Sequence, residues 1–239
     1  MIPIRDSRSI SSALIAAAVA GPILAPPSAT PARAQAATSP WTNLASPVTV
    51  ELRGLSVVSD RAAWASGAKG TILRTTDGET WKVIPVSGAE ALDFRDIEAF
   101  DEHRAVALSI GPGAASNVYK TVDGGVTWRK VFTNPEPDGF WDAIAFSDHK
   151  RGALFGDPVR GRFQVFLTED GGESWKPVAE SALPPALENE GAFAASGSCL
   201  VRGPEGRIAF VTGGAAQSRV FSSTDGGRSF RVSVSPVPT

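Results

Sequence analysis

The chain has 239 residues, 23 of them basic and 25 acidic, and its formal net charge of −2 argues against a nucleic-acid-binding surface, which needs a basic excess. The single cysteine, Cys199, excludes an intramolecular disulfide framework, and with only two histidines the sequence also excludes Cys/His zinc clusters. We expect neither a metal nor a cofactor.

Residues 1–34 have the three parts of a secretory signal peptide. Arg5 and Arg8 precede an apolar run from Ala13 to Ala25, and a small-residue cleavage site follows at 32–34. The apolar run is shorter than the roughly 20 residues of a membrane span, and the alternative is an uncleaved anchor. We predict cleavage after Ala34, a mature domain over residues 35–239 with no membrane span, and a location in the periplasm or outside the cell.

Short apolar, β-branched and aromatic runs fill the rest of the chain, separated by Gly, Pro, Asp and Ser, which is typical of strands joined by turns. Residues 41–44 resemble the outer strand of a last blade, whose other strands would normally come from the C-terminal end of the chain. Sixteen further strands are predicted in four groups of four. The groups are 50–58, 62–66, 71–75 and 81–86; 94–100, 105–109, 118–122 and 127–132; 140–146, 152–155, 163–168 and 174–178; 192–196, 207–212, 219–223 and 229–234.

A repeated segment joins the third and fourth strands of each group. Each copy has a Ser or Thr, then an Asp two residues later, one or two glycines, and an aromatic residue near the start of the last strand. The four aspartates are 46, 47 and 55 residues apart, a spacing that indicates stacked supersecondary units. The aspartate and aromatic pairs are Asp77 and Trp81, Asp123 and Trp128, Asp170 and Trp175, and Asp225 and Phe230.

We interpret these eight residues as structural. An Asp-Gly turn lets the carboxylate accept hydrogen bonds from nearby backbone amides, and glycine supplies positive φ without steric cost. The aromatic side chain after the turn is expected to be buried against the blade. The first copy is one residue shorter than the others, so its turn should be tighter.

The four segments resemble the Asp-box, or BNR, repeat, which implies an all-β fold, a β-propeller of four-stranded antiparallel blades. Two alternatives remain for the ring: four blades close a small propeller, or the chain is a shortened member of a six- to seven-bladed family. The mature chain as a whole is similar to the photosystem II stability/assembly factor-like propellers, most clearly at 52–58, 65–67, 91–97 and 191–197.

That resemblance implies a secreted, non-catalytic scaffold that binds protein partners, such as a membrane-complex subunit or another envelope protein. In its photosynthetic members an arginine-rich patch is thought to contact the partner. Inner strands and the loops on the face opposite the Asp boxes supply the candidate binding residues here. They are Arg53, Arg95, Asp96, Trp141, Asp157, Arg160, Arg162, Glu190 and Arg219, with Arg53, Arg95, Trp141 and Glu190 aligned at equivalent positions and Asp142 after Trp141.

Other interpretations remain open for these residues. Arg53 and Arg95 could instead pair with Asp96, Glu98 or Glu190 inside the blades. A carbohydrate-active enzyme is the functional alternative, using acids such as Asp96, Asp157 and Glu190, since glycosidases need two carboxylates. Sialidases also carry Asp boxes, but Tyr119, the one tyrosine, is predicted on a third strand away from the channel, and no catalytic residue is assigned. Cys199 is interpreted as a buried, inert thiol near the end of an inner strand, and the irregular loop 183–191 is expected to project over the binding face.

Overall fold

The computed structural model describes residues 42–195 and 197–237, which form sixteen strands in four antiparallel sheets. Each sheet takes four consecutive strands, and we call the sheets blades 1 to 4. Blade 1 contains β1 (Leu52–Val57), β2 (Ala63–Gly67), β3 (Thr71–Thr75) and β4 (Lys82–Val83). Blade 2 contains β5 (Asp93–Ala99), β6 (Ala105–Ile110), β7 (Asn117–Thr121) and β8 (Arg129–Thr133). Blade 3 contains β9 (Trp141–Phe146), β10 (Gly152–Val159), β11 (Arg162–Thr168) and β12 (Lys176–Pro177). Blade 4 contains β13 (Leu200–Arg202), β14 (Ile208–Thr212), β15 (Arg219–Ser223) and β16 (Arg231–Val234).

Short 3-10 turns are the helical elements of the described residues, at Gly113–Ala115, Glu180–Ala182, Gly197–Cys199 and Pro204–Gly206. In this part of the chain no helix has the length and apolar character needed to cross a membrane. The predicted signal peptide, residues 1–34, lies outside the described residues. So does residue 41 of the outer strand predicted at 41–44, while residues 42–44 are not in a strand.

The blades follow one another as an arc, and the predicted all-β propeller of four-stranded blades is confirmed. Blade 1 packs on blade 2, blade 2 on blade 3 and blade 3 on blade 4, but the ring is not closed. Large side chains fill each junction because two sheets packed face to face must exclude water from both inner surfaces. Trp64 meets Phe94 between blades 1 and 2, and Phe155 stacks on Phe210 between blades 3 and 4 with ring centroids 4.2 Å apart.

The inner strand of blade 4 corrects the sequence-based prediction. It was expected at 192–196, but the structure places it at Leu200–Arg202. We call the segment after the third Asp box, which starts with the irregular loop 183–191, the insertion. It explains the difference, because it continues to the turn at Gly197–Cys199, and the strand therefore begins later in the sequence. The outer strands β4 and β12 are also shorter than predicted, with two residues each.

All four Asp boxes connect the third and fourth strands of their blades. In the second box Asp123 accepts hydrogen bonds from the hydroxyl groups of Thr121 (2.9 Å) and Thr127 (2.6 Å) and from the amide of Thr127 (2.9 Å). The third and fourth boxes repeat this pattern. The first is tighter by one residue, with the Asp77 carboxylate reaching the amide of Thr80 at 2.7 Å.

Each of the three longer boxes is also tied to the first hairpin of its own blade. The amide of Gly124 donates to the carbonyl of His103 at 2.8 Å, and Gly171 and Gly226 make the equivalent bonds in blades 3 and 4. The aromatic residues of the third and fourth boxes, Trp175 and Phe230, are buried, whereas Trp81 and Trp128 are half-buried.

Candidate functional site

The innermost strands of blades 1 to 3 each contain a β-bulge at the same register position. Leu55, Ile97 and Ile144 pair equivalently with the second strand, and the unpaired residue lies two positions before each of them. A bulge leaves one residue outside the ladder and re-aims its side chain, which is common beside functional sites. The three bulge residues are Arg53, Arg95 and Asp142.

This alignment corrects the predicted position of Trp141. Asp142, not Trp141, is equivalent to Arg53 and Arg95, because Asp142 is the unpaired residue two positions before Ile144. Trp141 is buried, stacked on Phe132 at 5.0 Å and against Phe166 at 5.6 Å between centroids. It belongs to the junction between blades 2 and 3 and not to a binding face.

Arg95 is held between its own blade and the segment that precedes blade 4. Its Nη2 pairs with Asp93 at 2.7 Å, and its Nη1 donates to the carbonyl of Ala194 at 2.6 Å. Its Nε is buried and has no hydrogen-bond partner in the described part of the chain. Arg53 is more open, with 36% of its side chain exposed, and pairs with Glu51 at 2.6 Å. Both arginines therefore pair with acids, but not with the acids that the sequence suggested.

Asp96 links two blades from a buried position. Its two carboxylate oxygens accept hydrogen bonds of 2.9 Å from the amides of Ile97 and of Ile144 in the next blade. Burial raises the pKa of Asp96 to about 7 in spite of these bonds. Gly197 covers the carboxylate closely, since a Cβ there would lie 2.3 Å from it.

Asp142 has a buried carboxyl group with one unpaired oxygen. Only 2% of the residue is exposed, and its Oδ2 is buried without a partner among the described residues. Burial, reinforced by the negative charge of Asp157, raises the pKa of Asp142 to about 8, although the positive charge of Arg95 acts in the opposite direction. Burial also raises the pKa of Asp157.

Residues 191–195, which we call the inner segment, are bound through their main chain. Asp157 accepts a hydrogen bond of 2.8 Å from the amide of Ala192, and Arg95 donates to the carbonyl of Ala194. Gly191 forms a bridge with Gly213 of blade 4. Of the three bulge residues, Arg95 is therefore the one with a hydrogen bond to this segment.

Glu190 and Arg219 form a buried ion pair. Glu190 does not occupy the predicted entry position, because the inner strand of blade 4 begins only at Leu200, whereas Arg219 begins the third strand as expected. Arg219 Nε lies 2.8 Å from Glu190 Oε1, its Nη2 bonds the other oxygen, and its guanidinium lies 4.8 Å above the ring of Phe221. Burial alone would raise the pKa of Glu190, but hydrogen bonds from Arg219 and Thr212 hold it below its usual value. The pair anchors the insertion to blade 4.

Arg160 and Arg162 lie on the hairpin between β10 and β11. Arg160 makes a two-nitrogen ion pair with Glu136, at 2.7 and 2.9 Å, and most of its side chain is exposed. Arg162 donates to the carbonyl of Leu183. The sequence groups these arginines with Arg53 and Arg95 as candidate binding residues. In the structure Arg160 contacts the loop between blades 2 and 3, and Arg162 contacts the insertion.

Cys199 lies in the 3-10 turn just before β13 and is half-buried. Burial, then the negative charges of Asp142 and Asp96, raise the pKa of its thiol to about 12. A thiol in that state stays protonated and is a poor nucleophile. Within residues 42–195 and 197–237, no three His, Cys, Asp or Glu side chains converge as a metal site.

The arrangement is suited to recognising polypeptide main chain. Arg95 supplies donors to a carbonyl and Asp157 supplies an acceptor for an amide, and both already do so for the inner segment. Asp142 and the Arg95 Nε provide a further acceptor and donor that the described residues leave unpaired. A buried polar group without a partner costs free energy, which makes these two atoms candidates for ligand contact.

Comparisons with known proteins support the fold. No family model matches the chain, and no curated protein matches it. Among solved structures, "YCF48 bound to D1 peptide" matches with a TM-score of 0.59 and 18% identity, over 84% of this chain and 58% of that one. YCF48 from Cyanidioschyzon merolae matches with a TM-score of 0.59 and 16% identity, over 82% and 60% of the two chains. The chain therefore spans about 60% of the length of these structures, and at such identities the likeness shows the β-propeller fold alone.

Proposed function

We propose that this protein is a non-catalytic scaffold of the cell envelope that binds a polypeptide segment of a protein partner. The partner's main chain would contact the bulge residues Arg53 and Arg95 together with Asp157. The observation that carries the proposal is the inner segment, whose amide and carbonyl groups Asp157 and Arg95 already bind. Partners of this kind include a membrane-complex subunit or another envelope protein.

The structural neighbours support a protein partner. One solved structure of YCF48 is of that protein bound to a D1 peptide, and this chain has the same fold over most of its described length. The charges differ from a uniform basic patch, because Arg53 and Arg95 alternate with Asp93, Asp96 and Asp142. We therefore expect a partner segment with main-chain contacts and mixed charge, and not a strongly acidic one.

The proposed location rests on the signal peptide predicted for residues 1–34. Export of the full chain, with loss of about 34 residues, is the expected behaviour in a bacterial host. Mass spectrometry of the protein purified from the periplasm would show the new N-terminus. A full-length product retained in the cytoplasm would contradict the location without affecting the binding proposal.

A glycoside hydrolase-like activity is the second candidate, favoured by one observation. Asp142 and Asp157 have raised pKa values, and the charge on one raises the pKa of the other, as in carboxylate pairs that divide acid and base roles. The burial of Asp142, of which only 2% is exposed, argues against a sugar reaching it. Glu190, another suggested acid, is already paired with Arg219.

The binding proposal is tested with purified full-chain product as bait in an envelope extract, comparing the native protein with an Arg53→Ala/Arg95→Ala variant. We expect one or more partners to be lost or weakened at least about tenfold in the variant. Arg104→Ala/Arg151→Ala is the matched control, because it also removes two arginines, each paired with a nearby aspartate at 2.7–2.8 Å.

Identical partner sets for all three proteins would overturn the role of the two arginines. A panel of chromogenic glycosides and polysaccharides tests the other candidate with the same preparations. Hydrolysis that is present in the native protein and lost in Asp142→Asn would establish the enzyme and contradict a non-catalytic scaffold.

A further inference from the structure

The two ends of the arc expose the kind of surface that the blades bury elsewhere. We call the face of a blade that packs on the following blade its trailing face, and the opposite one its leading face. Among the described residues, blade 4 has nothing on its trailing face that corresponds to a fifth blade. Blade 1 likewise has no preceding blade on its leading face.

The trailing face of blade 4 keeps the apolar pattern of the internal junctions. Strand pairing aligns its Ala209, Val211 and Val220 with side chains that are buried at the trailing faces of the other blades. The aligned residues are Trp64, Ser66 and Ile72 in blade 1; Val106, Leu108 and Val118 in blade 2; Ala153, Phe155 and Val165 in blade 3. In blade 4, Val211 is 44% exposed and its neighbour Val201 is 57% exposed.

The leading face of blade 1 shows the complementary pattern. Leu55 is aligned with Ile97, Ile144 and Leu200, which are at most 2% exposed in blades 2 to 4, yet Leu55 itself is 65% exposed. Beside it a cavity of about 330 Å³ opens on this face, lined by Leu44, Leu52, Leu73 and Trp81 among others. Both ends therefore have apolar surface in the register of a blade junction.

The two ends of the arc also have charged residues at the positions of an ion pair that joins blades 2 and 3. Arg129 on the outer strand of blade 2 pairs with Glu173 in the Asp box of blade 3, at 2.8 and 3.0 Å. Arg231 occupies the position of Arg129 in blade 4, since it pairs with Ser222 as Arg129 pairs with Lys120. Glu79 precedes Thr80 in the first box as Glu173 precedes Ser174 in the third. Arg231 and Glu79 are exposed, and neither has an ion pair within the described ranges.

We propose that two copies of this chain associate about a two-fold axis, with blade 4 of each copy packed on blade 1 of the other. Each of the two junctions would bury Val201, Val211 and Val220 of one copy against Leu55 of the other and would pair Arg231 with Glu79. The result is a ring of eight blades, at the upper end of the range of about four to eight typical of propellers. Two-fold closure satisfies both ends at once, because blade 4 of each copy then meets blade 1 of the other and neither face remains free for growth.

Sedimentation of the purified full-chain product from low to high micromolar concentration tests the proposal. We expect a particle of twice the mass of the exported chain and no larger species. A protein that stays monomeric at about 100 µM would overturn the proposal, whatever else covers the two faces. So would an open series of trimers and longer oligomers, because it would show that the contact does not close.

Charge reversal locates the contact. Arg231→Glu and Glu79→Arg should each raise the dissociation constant at least about tenfold, and the double variant Glu79→Arg/Arg231→Glu should restore it towards the native value. Val211→Asp, exposed in the monomer and therefore compatible with folding, should abolish the dimer. Lys176→Glu is the matched control, at the position of Arg231 in blade 3, and should leave the dimer unchanged. A dimer that is insensitive to both single reversals and to Val211→Asp would place the contact elsewhere and refute the proposal.

Discussion

Asp123 lies just after a strand and Asp142 lies within one, and the fold moves their pKa values in opposite directions. Hydrogen bonds from the side chain and amide of Thr127 lower the pKa of Asp123 to about 2 in its exposed Asp box. Burial raises the pKa of Asp142 to about 8 at the inner strand. The repeated acids of the boxes are stabilised as anions by their own turns, whereas the inner acids are held in an environment that disfavours their charge.

This difference separates the structural acids from the functional candidates. A side chain that satisfies backbone donors within five residues is explained by the turn alone. Asp142 is not explained in this way, because the described residues leave its Oδ2 unpaired and its ionisation opposes folding. The inner region therefore carries a cost in stability that the boxes do not, which is typical of functional sites.

The largest expected effect concerns the aromatic residue of a box. Trp175→Ala should lower the free energy of unfolding by about 3–5 kcal/mol, because it leaves a cavity between blades 2 and 3. Trp128→Ala should cost less, since Trp128 is half-buried. Urea denaturation of the two variants measures both values. An unchanged stability in Trp175→Ala would contradict the structural role of the box.

A smaller effect of opposite sign is expected at the inner strand. Above about pH 4 the unfolded Asp142 ionises while the folded group stays protonated up to about pH 8, so its contribution to stability falls as the pH rises through this window. Asp142→Asn should therefore be more stable than the native protein at pH 8 and similar to it at pH 4. Urea titrations at the two pH values measure this difference, and a variant less stable at pH 8 would contradict the cost assigned to Asp142.

The smallest effect is expected for a single box acid. Asp170→Ala should cost about 1 kcal/mol at pH 7, because it removes the bonds from Ser174 and Thr168 to an exposed carboxylate. Burial acts to raise the pKa of Asp170, but the bonds from Ser174 outweigh it and lower the pKa to about 2, so the contribution should be lost as the pH falls from about 4 to 2. Glu169→Ala, beside it on the surface, is the control. A pH-independent difference between Asp170→Ala and the native protein would contradict the role of the ionised carboxylate.

Sequence patterns predicted the features that depend on near neighbours. The Asp boxes, the four-stranded blades and the place of each box between third and fourth strands are all local, and the sequence contains their turn residues. The bulge at Asp142 was missed because one unpaired residue leaves no signal in an alternating apolar run. Aligning the first strands on Leu55, Ile97 and Ile144 is the comparison that brings the three bulges to one register position.

Partners that are distant in sequence were the least predictable. Glu190 pairs with Arg219 across 29 residues, and Arg95 binds a carbonyl 99 residues away. Such contacts depend on the exact path of the insertion after the third box. The composition of the insertion predicted that it is irregular. It did not predict which main-chain atoms of the insertion bind Asp157 and Arg95.

The bond between each longer box and the first hairpin of its own blade bears on how the chain folds. His103 and Gly124, Lys150 and Gly171, and Gly206 and Gly226 are each about 20 residues apart, so a blade can close on itself before the next one has emerged. Contacts of short sequence separation form quickly, because little loop entropy is lost in closing them. Under the proposed export, blades that close in order from the N-terminus would suit a chain that crosses a membrane unfolded and acquires structure on the far side.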